Sequence, residues 1–337
     1  MKVLVTGGAG FIGSAVCRLL NRETEWSVVN LDKLTYASSI TSLAELDESD
    51  RYQFVHGDIN DAQLVASLFS HHDFDAVIHL AAETHVDRSI TGAAPFVQAN
   101  IVGVFTMLQV ALAHWDALPG SKRDGFRFLH VSTDEVFGSL GPEGKFTEQS
   151  RYAPRSPYAA SKASADHLVS AWGETYGLPV LISNCSNNYG PYQFPEKLIP
   201  LAILNGLNGE PIPVYGDGQQ VRDWLHVDDH AAALKLILEQ GVAGQTYNVG
   251  AECERTNLQV VQAICAELGC GELMEFVRDR PGHDRRYAID PSKLRTELGW
   301  RPRTGFEDGL RQTIAWFRDN REWWEPLRAR YSGERLG

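Results

Sequence analysis

Short runs rich in Val, Ile, Leu and Phe recur through the first half of the chain, at residues 2–6, 27–31, 52–56, 75–80 and 127–131. Each is of strand length and predicts a buried strand. Between them, apolar residues recur every three or four positions, at 14–21 (with Val16, Leu19 and Leu20 inward), 62–69 and 94–114. That spacing predicts helices. Strands alternating with helices predict an α/β fold: a doubly wound parallel sheet, with ligands held at the C-terminal ends of its strands. A helix over 157–176 opens with Pro157, which suits a first turn, and a strand over 180–184 follows. Asn187-Asn188-Tyr189-Gly190-Pro191 then breaks the rhythm. A short helix at 196–204 and a strand at 211–215 predict a smaller C-terminal α/β lobe. The expected division is residues 1–186, and 187–330 with a part near 221–250 returning to the first unit. Trp316, Phe317, Trp323 and Trp324 predict one terminal helix packed on the lobe.

Composition narrows the function. The 337 residues exceed one average core, in keeping with two units. A net charge of −12 argues against a nucleic-acid or membrane binder, which needs a basic face. The five cysteines are scattered, with no Cys-x-x-Cys pair, so reduced thiols in the cytoplasm are expected rather than disulfides or a zinc site. The chain enters its first strand directly after Met1, so no signal peptide is expected. No apolar run approaches the roughly 20 residues of a membrane span.

Three features point to a dinucleotide. Gly7, Gly10 and Gly13 lie between the first strand and the first helix. Missing Cβ atoms there permit a tight turn and close approach of a pyrophosphate to a helix N-terminus. Asp32 ends the second strand about 20 residues on, where a carboxylate holds the ribose 2′-OH of NAD and repels the extra phosphate of NADP. Lys33 beside it weakens that discrimination. Asp58, at the next strand end, can accept from an adenine amino group, and Ala81-Ala82 let a flat ring approach the backbone.

The stretch from Val131 to Lys162 carries proton-handling groups. Ser132-Thr133-Asp134-Glu135 ends a strand, and Tyr158 precedes Lys162 by one helical turn, on one face. A free phenol titrates near pH 10 and is a poor base at neutral pH. An ammonium and a nicotinamide cation nearby favour the phenolate, which can take a proton from a sugar hydroxyl as hydride leaves. Thr133 can bond the same oxygen. Two adjacent carboxyls push each other's pKa values apart, so that one can serve as acid and the other as base.

The run from Thr6 to Gly13 and Tyr158-x-x-x-Lys162 resemble the extended short-chain dehydrogenase/reductase superfamily. More narrowly, five stretches resemble dTDP-glucose 4,6-dehydratases: 81–90 (AAETHVDRSI), 132–138 (STDEVFG), 187–200 (NNYGPYQFPEKLIP), 221–225 (VRDWL) and 280–287 (RPGHDRRY). The resemblance reaches from residue 1 to about 310. Phe137 stands where the family usually has Tyr, and Thr84 where Ser is common. The resemblance implies a Rossmann-type sheet and NAD as cofactor. It implies oxidation at C4 of the sugar, removal of the C5 proton by Glu135, protonation of the C6 hydroxyl by Asp134, and return of hydride to C6. It assigns Phe11, Ile12, Leu34, Thr35, Ile59, Leu80, Thr84, Ala99 and Asn188 to the cofactor. It assigns Thr84, Asn187, Lys197, Leu198, Pro213, Val214, Tyr215, Arg222, Asn257, Arg280 and His283 to the nucleotide sugar, with Lys197, Arg222 and Arg280 able to neutralise a diphosphate. A homodimer through helices 94–114 and 157–176 is also implied, in line with apolar residues there beyond what one face needs.

Two other readings share parts of this pattern. A sugar-nucleotide C4 epimerase, or a dehydratase for another sugar nucleotide, needs the same fold, Thr133 and Tyr158; the epimerase has no use for the acid pair. A non-catalytic NAD(H)-binding protein needs only the glycine loop. His226 and His230 have metal-ligand spacing, but Asp228-Asp229 before an apolar helix at 231–238 read as a helix cap, and no metal is expected.

Overall fold

The computed structural model describes residues 1–279 and 282–330. Its strands, in chain order, are β1 (Lys2–Thr6), β2 (Ser27–Asp32), β3 (Tyr52–His56), β4 (Ala76–His79), β5 (Arg127–Thr133), β6 (Val180–Cys185), β7 (Asn187–Tyr189), β8 (Ile212–Tyr215), β9 (Val221–His226), β10 (Thr246–Val249), β11 (Glu254–Thr256) and β12 (Met274–Val277). Seven form one parallel sheet in the order β3-β2-β1-β4-β5-β6-β10. Strand order reverses between β1 and β4, which opens a crevice at their C-terminal ends.

The period of two along each strand divides the core. Val3 and Val5 face the helices Phe11–Glu23 and Val227–Gln240, with Leu19, Leu20, Leu234 and Ile237. Leu4 and Val77 face the opposite layer, built from Ala62–His72, Ala94–Ala117 and Pro157–Tyr176, with Leu68, Met107, Leu108 and Val169. Both sheet faces are thus covered, which is why these strands read as near-continuous apolar runs. The helix Val227–Gln240 and β10 return to this sheet after the chain has left it.

A second core lies around Ile199, Ile203, Val214, Val260, Ile264, Phe306 and Phe317. It is bordered by the β11-β9-β7 sheet and the parallel pair β12-β8. Together they hold β7, β8 and β9 beside the crevice.

Several expected elements differ. β5 runs to Thr133 rather than 131, so the threonine is held in the sheet. The first helix begins at Phe11, directly after Gly10, because Gly10 is its N-cap. The terminal aromatics belong to two helices, Phe306–Asp319 and Arg321–Arg328, broken at Asn320. The cap before Val227–Gln240 is His226, whose Nδ1 accepts from the Asp228 amide; Asp228 and Asp229 occupy the first turn. The helix Ala94–Ala117 contains a π segment at Gln98–Val102. It is long and apolar enough to cross a membrane by length and composition, although polar residues interrupt its apolar run; half of it is buried within the protein.

Candidate active site

The glycine loop forms a cradle at the foot of Phe11–Glu23. Gly7 has φ +74°, and a Cβ there would stand 2.7 Å from the Ala81 amide nitrogen. A Cβ on Gly13 would stand 2.1 Å from the Gly7 carbonyl oxygen. Gly10 caps the helix with no side-chain hydrogen bond, so the first-turn amides face the crevice. Asp32 closes the cradle: its carboxylate accepts from the amides of Ala9 (2.9 Å) and Leu34 (2.7 Å). Lys33 Nζ lies 3.8 Å from both Asp58 and Glu83. These observations fit a dinucleotide: room where side chains are missing, amides for a pyrophosphate, and a carboxylate for a ribose.

One cavity runs from this cradle over the sheet edge. Its lining contains Gly7, Gly10, Phe11, Ile12, Gly13, Asp32, Lys33, Thr35, Asp58, Ile59, Leu80, Ala81, Ala82, Thr84, Ala99 and Asn188, then Thr133, Asp134, Glu135, Tyr158 and Lys162. Leu34 does not line it. Its backbone is left-handed (φ +54°) and its side chain is partly exposed, while its amide serves Asp32. Asn188 is held by His230, whose Nδ1 lies 3.0 Å from Asn188 Oδ1. Burial pushes His230 down to about 3, so this imidazole is neutral.

At the far end of the cavity β5 delivers Thr133 into a short 3-10 turn, Asp134–Phe137, which Thr133 caps. Thr133 Oγ1 donates to Asp134 Oδ1 at 3.3 Å and accepts from the Glu135 amide at 3.3 Å. Asp134 is 2% exposed. Burial first, then Glu135 and Asp223, push its carboxyl well above the usual range, which favours the protonated acid. Tyr158, from the facing helix, is also buried; burial and Glu135 push its phenol up, and the neighbouring Thr133 hydroxyl acts the other way. Lys162 Nζ is fastened to the cavity floor by a 2.8 Å bond to Val131 O. Phe137 points away from the cavity into an apolar cluster, 5.1 Å from Phe146 and 5.2 Å from Tyr152 between ring centroids. A phenylalanine at this position therefore removes no hydroxyl from the acid pair.

A second cavity adjoins the first. Thr84, Glu135, Asn187, Glu196 and Lys197 line both. Leu198, Pro213, Tyr215, Arg222, Asn257 and His283 line the second alone. Arg222 is fixed by its bonds to Val221 O (2.7 Å) and Asp284 O (3.0 Å), and its guanidinium stacks 4.3 Å over the Tyr287 ring. His283 Nδ1 is 2.6 Å from Asp279 Oδ1, and Tyr215 OH donates to Asp87 Oδ2 at 3.3 Å. Val214 does not line this cavity: β8 alternates, so Pro213 and Tyr215 face it while Ile212 and Val214 enter the lobe core. Arg280 lies outside the described residues.

Sequence reasoning passed over Glu196, Phe194, Ser186, Cys185 and Tyr287, all of which line a cavity. Glu196 accepts from Tyr36 OH at 3.0 Å and lies 3.3 Å from His85 Nε2, so it joins segments distant in the chain. Glu196 and Tyr287 sit inside the family-like stretches 187–200 and 280–287, and that was the available signal.

The model of the GDP-mannose 4,6 dehydratase family matches residues 4–313. A dTDP-glucose 4,6-dehydratase of Escherichia coli is 53% identical, over all of this chain and 99% of its own. The solved structure of DesIV, the dTDP-glucose 4,6-dehydratase of Streptomyces venezuelae, with NAD and TYD bound, superimposes with a TM-score of 0.92 at 47% identity, covering 97% of this chain and all of that one. The UDP-glucose 4-epimerase of Thermus thermophilus, in complex with NAD, shares the fold at a TM-score of 0.85 and 31% identity, over 95% of this chain and all of that one. The matches with dehydratases are much the stronger in sequence, and the chain belongs to the sugar-nucleotide 4,6-dehydratase family, among the dTDP-glucose 4,6-dehydratases.

Proposed function

We propose that this chain is an NAD-dependent hydro-lyase that converts dTDP-glucose to dTDP-4-keto-6-deoxyglucose. The observation that carries the reading is the acid pair at the end of β5: a buried Asp134, whose surroundings favour the neutral acid, beside Glu135, at the junction of a dinucleotide-shaped cavity and a second one lined by Arg222 and Lys197. C4 oxidation alone needs Thr133, Tyr158 and Lys162. The pair has work only if water is also eliminated.

When bound, NAD accepts the C4 hydride and later returns it to C6. Gly7, Gly10 and Gly13 admit its pyrophosphate, and Asp32 its ribose. Tyr158, beside Thr133, takes the C4 hydroxyl proton; the cationic Lys162 and nicotinamide favour the phenolate against the burial that opposes it. The C4 ketone makes the C5 hydrogen acidic, and Glu135 removes it. Asp134 donates its proton to the C6 hydroxyl, which leaves as water. Hydride then reaches C6 of the enone and a proton returns to C5. No net oxidant is consumed. Residues 1–186 supply the cofactor site and the proton-handling groups. Residues 187–330 supply most nucleotide-sugar contacts, with 221–250 returning to the sheet.

Two further proposals accompany this one. Val97, Val102 and Phe105 on one helix and Tyr176 on its neighbour are exposed, which supports pairing of two copies across Ala94–Ala117 and Pro157–Tyr176. Five free cysteines support a reducing, cytoplasmic location.

Incubation with dTDP-glucose, followed by product chromatography and the alkali-induced absorbance of a 4-keto-6-deoxy sugar, tests the reading. The expected product is the keto sugar, formed from dTDP-glucose faster than from UDP-, GDP- or CDP-glucose. A C4 epimer as sole product would make the protein an epimerase, and no turnover on the whole panel would return it to a binding role.

A further inference from the structure

Beneath Tyr158 and Lys162 lies a buried polar chain for which the proposed chemistry has no role. Asp166 follows Lys162 by one turn, so Tyr158, Lys162 and Asp166 share one face of Pro157–Tyr176. Its carboxylate is 2% exposed. Oδ2 accepts from Ser132 Oγ (2.7 Å) and Tyr152 OH (3.0 Å). Oδ1 lies 3.4 Å from His130 Nε2, and the same ring nitrogen lies 3.4 Å from Lys162 Nζ. The edge of an imidazole therefore stands between the ammonium and the carboxylate. The His130 ring stacks on His79 at 5.4 Å, and His79 Nδ1 is 2.7 Å from Thr6 Oγ1.

A buried ammonium is costly without a counter-charge. The titratable groups around Lys162 are Tyr158 and Asp166 on its own helix, His130 on β5, Cys185 on β6 and, behind His130, His79 on β4. Burial holds His130 near 4 and His79 well below its ordinary value, and it pushes the Cys185 thiol up to about 12. All three are neutral at physiological pH. Burial pulls Lys162 down, and Asp166 is the first group acting to restore its charge. The His130 Nε2 nitrogen can accept from the ammonium in one tautomer or donate to the carboxylate in the other, so it touches both charges and bonds one at a time.

We propose that Asp166, acting through His130, is a positioning residue that keeps Lys162 charged and in place beneath Tyr158. The proposal deepens the reaction assigned above and rests on it. Two expectations follow from removing the anion. Lys162 loses its proton at lower pH, and above that lowered midpoint Tyr158 lacks the cation that favours its phenolate.

In Asp166→Asn the side chain can still meet Ser132 and Tyr152, so the fold is expected to survive. NMR titration of Lys162 in the unliganded protein should show a midpoint lower by about one unit, the lower end of the effect of a nearby charge. The alkaline fall of kcat/KM for C4 oxidation should begin at a pH lower by a similar amount, about tenfold in rate at a fixed pH on that limb. In a Lys162→Met background the same substitution should leave that limb where it is. If Asp166→Asn does not fold, His130→Leu should lower the Lys162 midpoint, and His130→Gln, whose amide can bridge both charges, should restore it. An unmoved Lys162 midpoint in folded Asp166→Asn, or equal midpoints in the His130 pair, overturns the proposal. Failure of the wild type to turn over any sugar nucleotide overturns the reaction instead and leaves the lysine titration intact as a separate result.

Discussion

At the scale of single residues, two neighbouring acids are placed in unlike surroundings. Asp134 is almost fully buried and lines only the first cavity, while Glu135 lines both. Burial and like charge both favour the neutral form of Asp134, so the acid is available until pH rises through its raised pKa, and elimination should fall above that point. General acid catalysis of this kind contributes roughly 10²–10⁴-fold. Asp134→Asn should therefore complete C4 oxidation yet eliminate water slower by about that factor, leaving the near-ultraviolet absorbance of reduced cofactor on the enzyme, and its elimination should lack the alkaline fall. A variant that forms no reduced cofactor would place Asp134 in the oxidation step. The residue types and their adjacency were legible in the sequence. The protonation state was not, because it depends on burial and on Asp223, 89 positions further along the chain.

At the scale of elements, local pattern predicted type well and facing less well. The alternation that made β8 a strand could not say which face met the core; the lobe core claimed Val214 and left Pro213 and Tyr215 for the cavity. The glycine loop was the opposite case, since its spacing already implied contact. The structure adds the reason for Gly13: the helix presses on the Gly7 carbonyl, with no room for a methyl group. Gly13→Ala must displace the loop or the helix start. We expect NAD affinity to fall at least about tenfold, that is about 1.4 kcal/mol or more, read by calorimetric titration, with a lower melting temperature. Unchanged affinity would show that the cradle yields without cost.

At the scale of the whole molecule, the half-buried helix Ala94–Ala117 and its neighbour leave aromatic and aliphatic residues on the outside. Phe105 stands edge-on to the buried Trp172 at 5.9 Å, and Trp172 to Tyr176 at 5.4 Å, so one buried ring joins the exposed residues of the two helices. A dimer is expected in sedimentation velocity at micromolar concentration. Phe105→Glu would bury a charge between the paired helices and should weaken association by about 2 kcal/mol or more, roughly thirtyfold, with cofactor binding retained. A wild-type monomer at that concentration would remove the dimer. The terminal helices also act at this scale: Trp323 Nε1 donates to Ser42 Oγ at 3.0 Å, tying the end of the described chain to its first half.

The sequence by itself determined the alternation of strands and helices, the glycine cradle, the acid at the end of β2, and the residue types along Val131–Lys162. All of these depend on local periodicity or on spacing within a single strand, turn or helix. Tertiary structure alone decided the seat of Glu196 between two cavities, the inward turn of Phe137, and the insertion of His130 between Lys162 and Asp166. In each case the deciding partners are far apart in the chain. Burial, which sets both packing and ionisation, comes into being only when the distant segments meet.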